Sequence, residues 1–595
     1  MESSSGQNVT SEVIAEGSAA AHSQTEVQLR GLTVRAGERI LLENVSTVFR
    51  AGELTLILGC SGVGKSVLLR ILAGLTGRDH TAIRFTGDVL FQKQQSNGRQ
   101  GAGESSDLPS ERDVAVVFQS FALLDELSPL ENVLIALDHR AGGTAGKARH
   151  SAAAELLKQL RVPTDRAVAV LSGGQQQRLA IARAIAPGNQ VILYDEPTSG
   201  LDILTAKAVA SLIHDTHQKY RRTSIVVTHD YATLAAIADR ILLLNHHTQT
   251  LEDVPREAWD QLMLQLGDPP DMSVVSVPLA WWKSFCARVI GVLSSSGRFA
   301  QDMLELPLTI LPIWKSVFWG LRYTRYYLAL VAGPSACLYV AVACLILGYV
   351  AQDFVFRYLP FRQFSEPLLT ENLLHATGFS LFRFLVPILS TLLIAARSGA
   401  AVAADVGSKV YGSQLDALSS LGAKPDRVLR TPILYAFLVG TPLLSLLGYF
   451  TAAVSAAFAF LLTHPEPGLA FWDAHFHKEL IPQTGVFYRG TGWLTVKLLL
   501  CGAGIAVIAW RQGSSPKLSS AQISRGVTRT ILWSTLFVLS MVIFALARLA
   551  GDSVPLVLGT EATNADIELY RRQYVLDKPL VMQYLTSLGN TSQGH

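Results

Sequence analysis

The sequence predicts two architectures in one chain: an α/β domain with a mostly parallel sheet, then an all-α polytopic membrane domain of about five spans. Three observations predict this. Over 595 residues, apolar side chains make up 49% and charged ones only 16%, against about 25% charged in ordinary soluble domains; mean hydropathy is +0.30. Short β-type runs alternate with longer helical segments through the first half, the rhythm of parallel crossover units. The second half carries uncharged stretches long enough to cross a bilayer. The net charge of +3 is too balanced to argue for a nucleic-acid partner. Five cysteines, none in a CxxC pair, exclude a disulfide scaffold and a zinc cluster of the usual spacing.

In chain order, residues 1–24 are Ser/Ala/Gly-rich with no apolar run and read as a disordered leader, without the basic start or apolar stretch of a signal peptide. The α/β domain then covers 25–255, with strands expected at Leu54–Leu58, Val114–Phe118, Val191–Tyr194 and Ser224–Thr228. A Gln/Gly/Ser-rich stretch from Gln92 to Ser110 reads as a surface insertion between two strands.

The chemistry of this half starts at Gly59-Cys60-Ser61-Gly62-Val63-Gly64-Lys65-Ser66, which fits GxxxxGK[ST] between a strand and a helical run, Val67–Leu75. Glycines let the backbone curl so that successive N–H groups face phosphate oxygens; Lys65 would reach the β and γ phosphates and the Ser66 hydroxyl would bind Mg²⁺. Cys60 reads as a tolerated small residue rather than a redox switch. The apolar strand Val191–Tyr194 ends in Asp195 and Glu196, one carboxylate suited to the Mg²⁺ shell and one to activating water. These motifs make the domain an α/β P-loop NTPase.

Leu171-Ser172-Gly173-Gly174-Gln175-Gln176-Gln177-Arg178 narrows it. With Gln119 after a strand, Ser199-Gly200-Leu201-Asp202 after the carboxylates and His229 after Ser224–Thr228, the chain over about 26–250 resembles the ATP-binding-cassette family. The resemblance implies ATP and Mg²⁺ as cofactors. It also implies two ATP molecules sandwiched between two cassettes, with Ser172, Gly173, Gly174 and Gln175 of one facing the γ-phosphate bound to the other. Glu196 would be general base, His229 would contact the γ-phosphate, and Gln119 would sense Mg²⁺ and the membrane domain. The family usually has an aromatic residue for adenine near the first strand; here Ala36 stands there, and Arg35 could stack instead.

Beyond Ala280 the solvent changes. Tyr326–Gln352, Thr431–Thr463 and Thr530–Ala547 contain no Asp, Glu, Lys or Arg; Ala376–Ala396 and Gly490–Trp510 carry one each, Arg383 and Lys497. The 33 residues of Thr431–Thr463 would make a helix of about 50 Å at 1.5 Å per residue, which must tilt, project or break, with Gly440, Pro442 and Gly448 as natural breaks. Basic residues favour a count of five spans with the first half cytosolic. Arg397, Lys409, Lys424, Arg427, Arg430, Arg511, Lys517, Arg525 and Arg529 fall on one side, and Arg357, Arg362, Lys478 and Arg489 on the other. The tail at 551–595 would then lie on the far side. Between the halves, at 256–322, Trp281, Trp282, Trp314 and Trp319 sit among basic residues, as in an interfacial helix; a linker packed on the first domain is the alternative. His464, His475 and His477 lie in an expected outer loop and read as solvated rather than metal-bound.

Ala395-Ala396-Arg397-Ser398-Gly399-Ala400-Ala401-Val402-Ala403-Ala404-Asp405-Val406-Gly407, with Gln414-Leu415-Asp416-Ala417-Leu418 and Leu421-Gly422, resembles the MlaE type of permease, which serves lipid transport systems working with MCE proteins. The likeness runs from near Gly297 to about Ala550, so that 323–550 would be the permease domain. The chain departs from that pattern at Asp405, Ser413 and Phe384, where the family usually has Glu. The resemblance makes Gly407–Leu421 a coupling helix docking on the cassette near Gln119. One phosphate loop and one signature per chain imply a homodimer. The expected function is an ATP-driven half-transporter in a bacterial inner membrane, moving phospholipid or another hydrophobic molecule, with an MCE-type partner outside. A drug or sterol exporter and a non-transporting ATP-dependent regulator are the rival readings. Arg383 could meet an anionic headgroup or snorkel to the interface.

Overall fold

The computed structural model describes residues 24–37, 39–60, 62–76, 83–94, 114–139, 146–261, 297, 301, 304, 306–311, 314, 316–358, 366–481, 487–517 and 519–549. Residues 1–23 of the expected leader, the tail at 551–595, Ser61, Trp281, Trp282 and most of the expected insertion (95–110) lie outside them.

The first half is built on two sheets. The larger has the order β5(Val114–Val117)-β6(Val191–Asp195)-β7(Thr223–Thr228)-β3(Leu54–Leu58)-β8(Arg240–Leu244)-β9(Leu251–Val254), parallel except for the edge strand β9. Strands β3, β5, β6 and β7 are mostly apolar without polar alternation because both faces are covered, and every residue of them is buried. The smaller sheet, β2(Arg39–Phe49)-β1(Gln24–Ala36)-β4(Ile83–Gln94), is antiparallel. The rhythm of crossover units carries no signal for it, because its strands alternate apolar with polar residues on one covered face. Gln92–Gln94, expected to open the insertion, are the end of β4. At the β1/β4 bulge, a Cβ on Gly87 (φ +97°) would lie 2.5 Å from the Gly31 carbonyl oxygen, which only glycine avoids.

Helices α1(Lys65–Leu72), α2(Pro129–His139), α3(Gly146–Gln159), α4(Gly173–Ile185) and α5(Ile203–Tyr220) complete the cassette-sized unit. The local sequence caps three of them. Ser128 and Glu131 form a reciprocal capping box at the start of α2. Ser172 and Gln175 form a reciprocal capping box at the start of α4, and the Asp202 carboxylate accepts from the Thr205 N–H at the start of α5.

The second half has five helical segments long and apolar enough to cross a membrane: Val317–Arg357, Thr370–Tyr411, Asp426–Thr463, Thr491–Ser514 and Ser520–Ile543. The first is two helices, α6(Val317–Ala332) and α7(Pro334–Tyr358), jointed at Gly333. Pro334 has no N–H for the Leu330 carbonyl; the Arg397 guanidinium donates to that oxygen instead at 2.9 Å, and the Ser398 hydroxyl donates to the Val331 carbonyl at 2.8 Å. Arg397, which the sequence reading counted as a loop charge, therefore lies inside the second segment and splints the first. That second segment comprises α8(Glu366–Ser380), α9(Val386–Ile394) and α10(Ala400–Tyr411), joined by π-turns at Leu381–Leu385 and Ala395–Gly399. A short helix, α11(Gln414–Ser420), follows.

Thr431–Thr463 is one unbroken helix, α12, despite Pro442. Its glycines serve another end. A Cβ on Gly448 would lie 2.8 Å from Cys344 Sγ, and one on Gly348 of α7 would lie 2.1 Å from the Ala452 carbonyl oxygen. These are close approaches between helices, the packing that small residues permit in lipid. The outer helix α13(Gly468–Phe476) and the last two spans, α14(Thr491–Ser514) and α15(Ser520–Leu549), complete the bundle.

Candidate nucleotide site and its link to the membrane helices

Parallel strands place ligands outside their carboxyl ends, and four adjacent strands end in the residues singled out above. The loop Gly59–Ser66 follows β3, Gln119 follows β5, Glu196 follows β6 and His229 follows β7. Gly62 and Gly64 have φ of +79° and +111°, and a Cβ on Gly64 would stand 3.3 Å from Leu41 Cβ, so the loop's curl depends on both glycines. Lys65 is 5% exposed, and its ammonium donates to the Gly59 and Cys60 carbonyls at 2.8 and 3.0 Å. Burial lowers its pKa from the ordinary lysine value. Cys60 and Val63 belong to the same loop, half-buried and buried respectively.

The Ser66 hydroxyl donates to Asp195 Oδ1 at 3.0 Å. Burial pushes the Asp195 carboxyl up, against the pull of the Ser66 hydrogen bond. A hydroxyl and a carboxylate held together at a phosphate loop are the hard oxygen donors that Mg²⁺ takes, so the residues present fit the ion and a nucleoside triphosphate. Glu196 sits at φ +47°, the left-handed region that costs a non-glycine residue about 1–2 kcal/mol. Its N–H is pinned to the Val227 carbonyl at 2.8 Å. Its two carboxylate oxygens are both engaged: Gln119 Nε2 lies 3.1 Å from Oε2 and His229 Nδ1 lies 3.1 Å from Oε1. Gln119, Glu196 and His229 thus form one cluster, from strands far apart in sequence.

Ser172–Gln175 form the exposed start of α4. The capping box consumes the Ser172 hydroxyl and the Gln175 N–H, while the first N–H groups of the helix have no intrahelical acceptor. Gly174 can carry no side chain, since a Cβ would meet Thr205 Cγ2 at 2.6 Å. The Thr205 hydroxyl donates to Asp202 at 2.6 Å and lowers the carboxylate's pKa. Val170, Ile203 and Leu204 beside this helix start are 69%, 74% and 80% exposed. Arg35 and Ala36 close β1; Arg35 is exposed opposite Arg84 and Ile40.

The site is tied to the membrane helices. The Ser120 hydroxyl, next to Gln119, donates to the Gly412 carbonyl at 3.0 Å. Arg70 of α1 pairs with Asp416 of α11 at 2.6 Å, the Gln414 amide donates to Asp125 at 3.3 Å, and Ala417 is inserted in the apolar core of the cassette. A second contact was not legible in the sequence. Trp319 of α6 donates its indole N–H to Asp138 at 2.8 Å, and Arg322 pairs with Glu131 at 2.8 Å, both on α2. Trp319, expected at headgroup depth, is 2% exposed and packs on the first domain; Trp314 donates to the Arg427 carbonyl.

In the membrane half, the Arg383 guanidinium reaches the start of the fourth span. It lies over the Phe379 ring at 5.0 Å and 3.5 Å from the Arg489 carbonyl, against Gly490, where a Cβ would collide with it. Lys497 stands within electrostatic range of Arg383 and over the Trp493 ring at 5.7 Å. Among the described residues, neither cation has an ion-pair partner. His475 lies 3.6 Å from Glu371 and stacks on His375, His477 stacks on Tyr488, and His464 stacks on Phe460. No cluster of three metal-ligating residues occurs among the described residues.

Two family models match the chain, one described as ABC transporter over residues 42–199 and one as permease MlaE over 328–547. The chain is an ABC cassette fused to an MlaE-type permease. Among curated relatives, it is 36% identical over 241 residues to the sulfate/thiosulfate import ATP-binding protein CysA of Bordetella bronchiseptica, covering 40% of this chain and 64% of that one. It is 37% identical over 222 residues to the spermidine/putrescine import ATP-binding protein PotA of Legionella pneumophila, covering 37% and 57%. The chain thus spans less than two thirds of the length of these relatives. A solved dimeric structure of MJ0796, a bacterial ABC transporter cassette, is 31% identical and covers 38% of this chain and 96% of that one, with a TM-score of 0.32.

Proposed function

We propose that this fused cassette–permease is an ATP-hydrolysing half-transporter that acts as a homodimer and moves phospholipid, or another hydrophobic molecule, across or out of a bacterial inner membrane. The observation that carries the reading is a set of three contacts between the cassette and the segment after α10: Ser120, next to Gln119, donates to the Gly412 carbonyl, Asp125 accepts from Gln414, and Arg70 behind the phosphate loop pairs with Asp416.

In this reading the cassette occupies 25–255, the linker 256–322 and the permease 323–550. Gly59–Ser66 cradle the phosphates through backbone N–H groups, with Lys65 leaving its loop carbonyls to meet phosphate oxygens. Ser66, Gln119 and Asp195 would hold Mg²⁺, which supplies charge neutralisation on the phosphates. Glu196, oriented by Gln119 and His229, accepts the proton of the attacking water, and the γ-phosphoryl leaves ADP. Ser172–Gln175 and Asp202 face the nucleotide of the partner cassette. Exposed Val170, Ile203 and Leu204 support the dimer, since a second cassette closing on this face would cover them.

The permease match and the neighbouring cations Arg383 and Lys497, which have no ion-pair partner among the described residues, favour an anionic lipid headgroup over the sulfate and spermidine named for the cassette relatives. An MCE-type lipid-binding protein is the partner we propose on the outer side. Lipid extracted from the detergent-solubilised dimer and identified by mass spectrometry tests the reading. We expect enrichment of anionic phospholipid over the host membrane, reduced in Arg383→Ala. A lipid profile identical to the bulk membrane in both proteins would contradict the substrate assignment.

A further inference from the structure

Three elements that are distant in sequence converge on Lys409. Its ammonium lies 2.8 Å from Asp405 Oδ1 on its own helix and 3.5 Å from Glu126 Oε1 in the cassette loop that begins at Gln119. Asp405 also accepts from two tyrosines of α6, Tyr326 at 2.8 Å and Tyr327 at 3.0 Å. The lysine and Glu126 side chains are only 6% and 9% exposed. Beside them lies a cavity of about 270 Å³ that Asp125, Ser408 and Gln414 complete. One ammonium thus serves two carboxylates, one from each domain, the cassette's nearly buried and the helix's partly so.

We propose that Lys409 is the positioning residue that transmits the nucleotide state of the cassette to the first two membrane segments, by holding Glu126 to Asp405. The proposal rests on the half-transporter reading and adds to it the group that carries the motion.

The two contacts are unequal in kind. Asp405 is an i,i+4 partner within one helix and keeps the lysine whatever the cassette does. Glu126 comes from the other domain, so its contact is the one that a movement of the Gln119–Glu126 loop makes or breaks. Among the described residues, Glu126 Oε1 has no donor within hydrogen-bond geometry, and the buried Tyr323 hydroxyl of α6 faces the same carboxyl. Burial pushes the Glu126 carboxyl up while Lys409 pulls it down. A nearly buried carboxylate separated from the one cation it meets among the described residues is costly, so the loop and α10 move together. Asp405 then passes the displacement to α6 through Tyr326 and Tyr327. The neighbouring Arg70–Asp416 pair is partly exposed and screened by solvent, which suits it to docking rather than to transmission.

The test uses the full chain, with native cysteines replaced by serine and a spin label on Phe487→Cys, a position 77% exposed at the far end of the bundle. It is reconstituted in liposomes of phosphatidylethanolamine and phosphatidylglycerol. Label–label distance across the dimer is read with and without ATP in the Glu196→Gln background, and ATP turnover is read without that substitution. We expect Lys409→Met to keep turnover within about twofold yet abolish the ATP-driven distance change, a coupling loss of about tenfold or more. Lys409→Arg should retain the change. Lys409→Glu should lose it, and the swap Glu126→Lys/Lys409→Glu should restore it, which covers the case in which the methionine variant does not fold. A wild-type distance change in Lys409→Met, a swap no better than its single parent, or a parent protein whose distance ignores ATP would each overturn the proposal. Absence of lipid movement by the parent would instead sink the lipid reading alone, because the distance is read without substrate.

Discussion

The two halves of the molecule achieve precision by opposite means. In the cassette's nucleotide site it comes from buried polar groups that hold one another. Lys65 rests on two carbonyls, Ser66 on Asp195, and Arg183, whose pKa burial lowers to about 10, donates to the Phe121 and Ala122 carbonyls. In the membrane half it comes largely from missing side chains. Gly348, Gly448 and Gly502 let backbones and small groups approach where any Cβ would collide, and Arg383 and Lys497 have no ion-pair partner among the described residues. Water is the reason for the difference. Folding in water rewards apolar burial and tolerates a paired charge, whereas helices already in lipid gain nothing from apolar burial and must gain from contact.

The largest expected effect probes the cassette. Glu196→Gln should lower ATP turnover by about 10²–10⁴-fold, the usual share of a general base, while ATP binding survives; a phosphate-release assay and a nucleotide-binding titration check it. The next probes the membrane half. Gly348→Val would drive a side chain into the Ala452 carbonyl, where a Cβ already stands at 2.1 Å. A loss of about 1–3 kcal/mol of stability is expected, visible as a lowered melting temperature in detergent, whereas Gly37→Ala, at a position with nothing within 4 Å, should cost less despite its φ of +62°. Arg383→Ala should weaken retention of anionic lipid by about tenfold, equivalent to about 1.4 kcal/mol, without changing detergent ATPase. The smallest effect is expected where the halves meet in water. Asp416→Asn breaks a pair whose side chains are 29–36% exposed and should cost within about 1 kcal/mol, read as a small shift in melting temperature.

What could be read from the sequence follows from the same contrast. The phosphate loop, the carboxylates after β6 and the signature are contiguous, so residue order alone reveals them. The five spans were legible because lipid demands length and apolarity. What was not legible is what the chain assembles from distant parts. The Leu330 carbonyl, orphaned by Pro334, and its Arg397 partner are 67 residues apart. Trp319 looked like an interface anchor because its basic neighbours suit a headgroup as well as they suit Glu131. Gly440 and Gly448 looked like helix breaks because propensity treats glycine as weak, whereas in α12 they are contact points that tertiary packing requires. The antiparallel sheet escaped because β1, β2 and β4 belong to no crossover unit. Lys409 carried only a loop-charge signal until Glu126 was placed beside it.

The central claim is that ATP turnover at Glu196 drives lipid through the permease half. The most direct test follows a fluorescent phospholipid in liposomes containing the full chain and ATP, with Glu196→Gln as control. The account predicts movement that depends on ATP, scales with turnover and falls to background in the control. Movement at equal rate in both proteins, or none while the wild-type protein hydrolyses ATP, would contradict it.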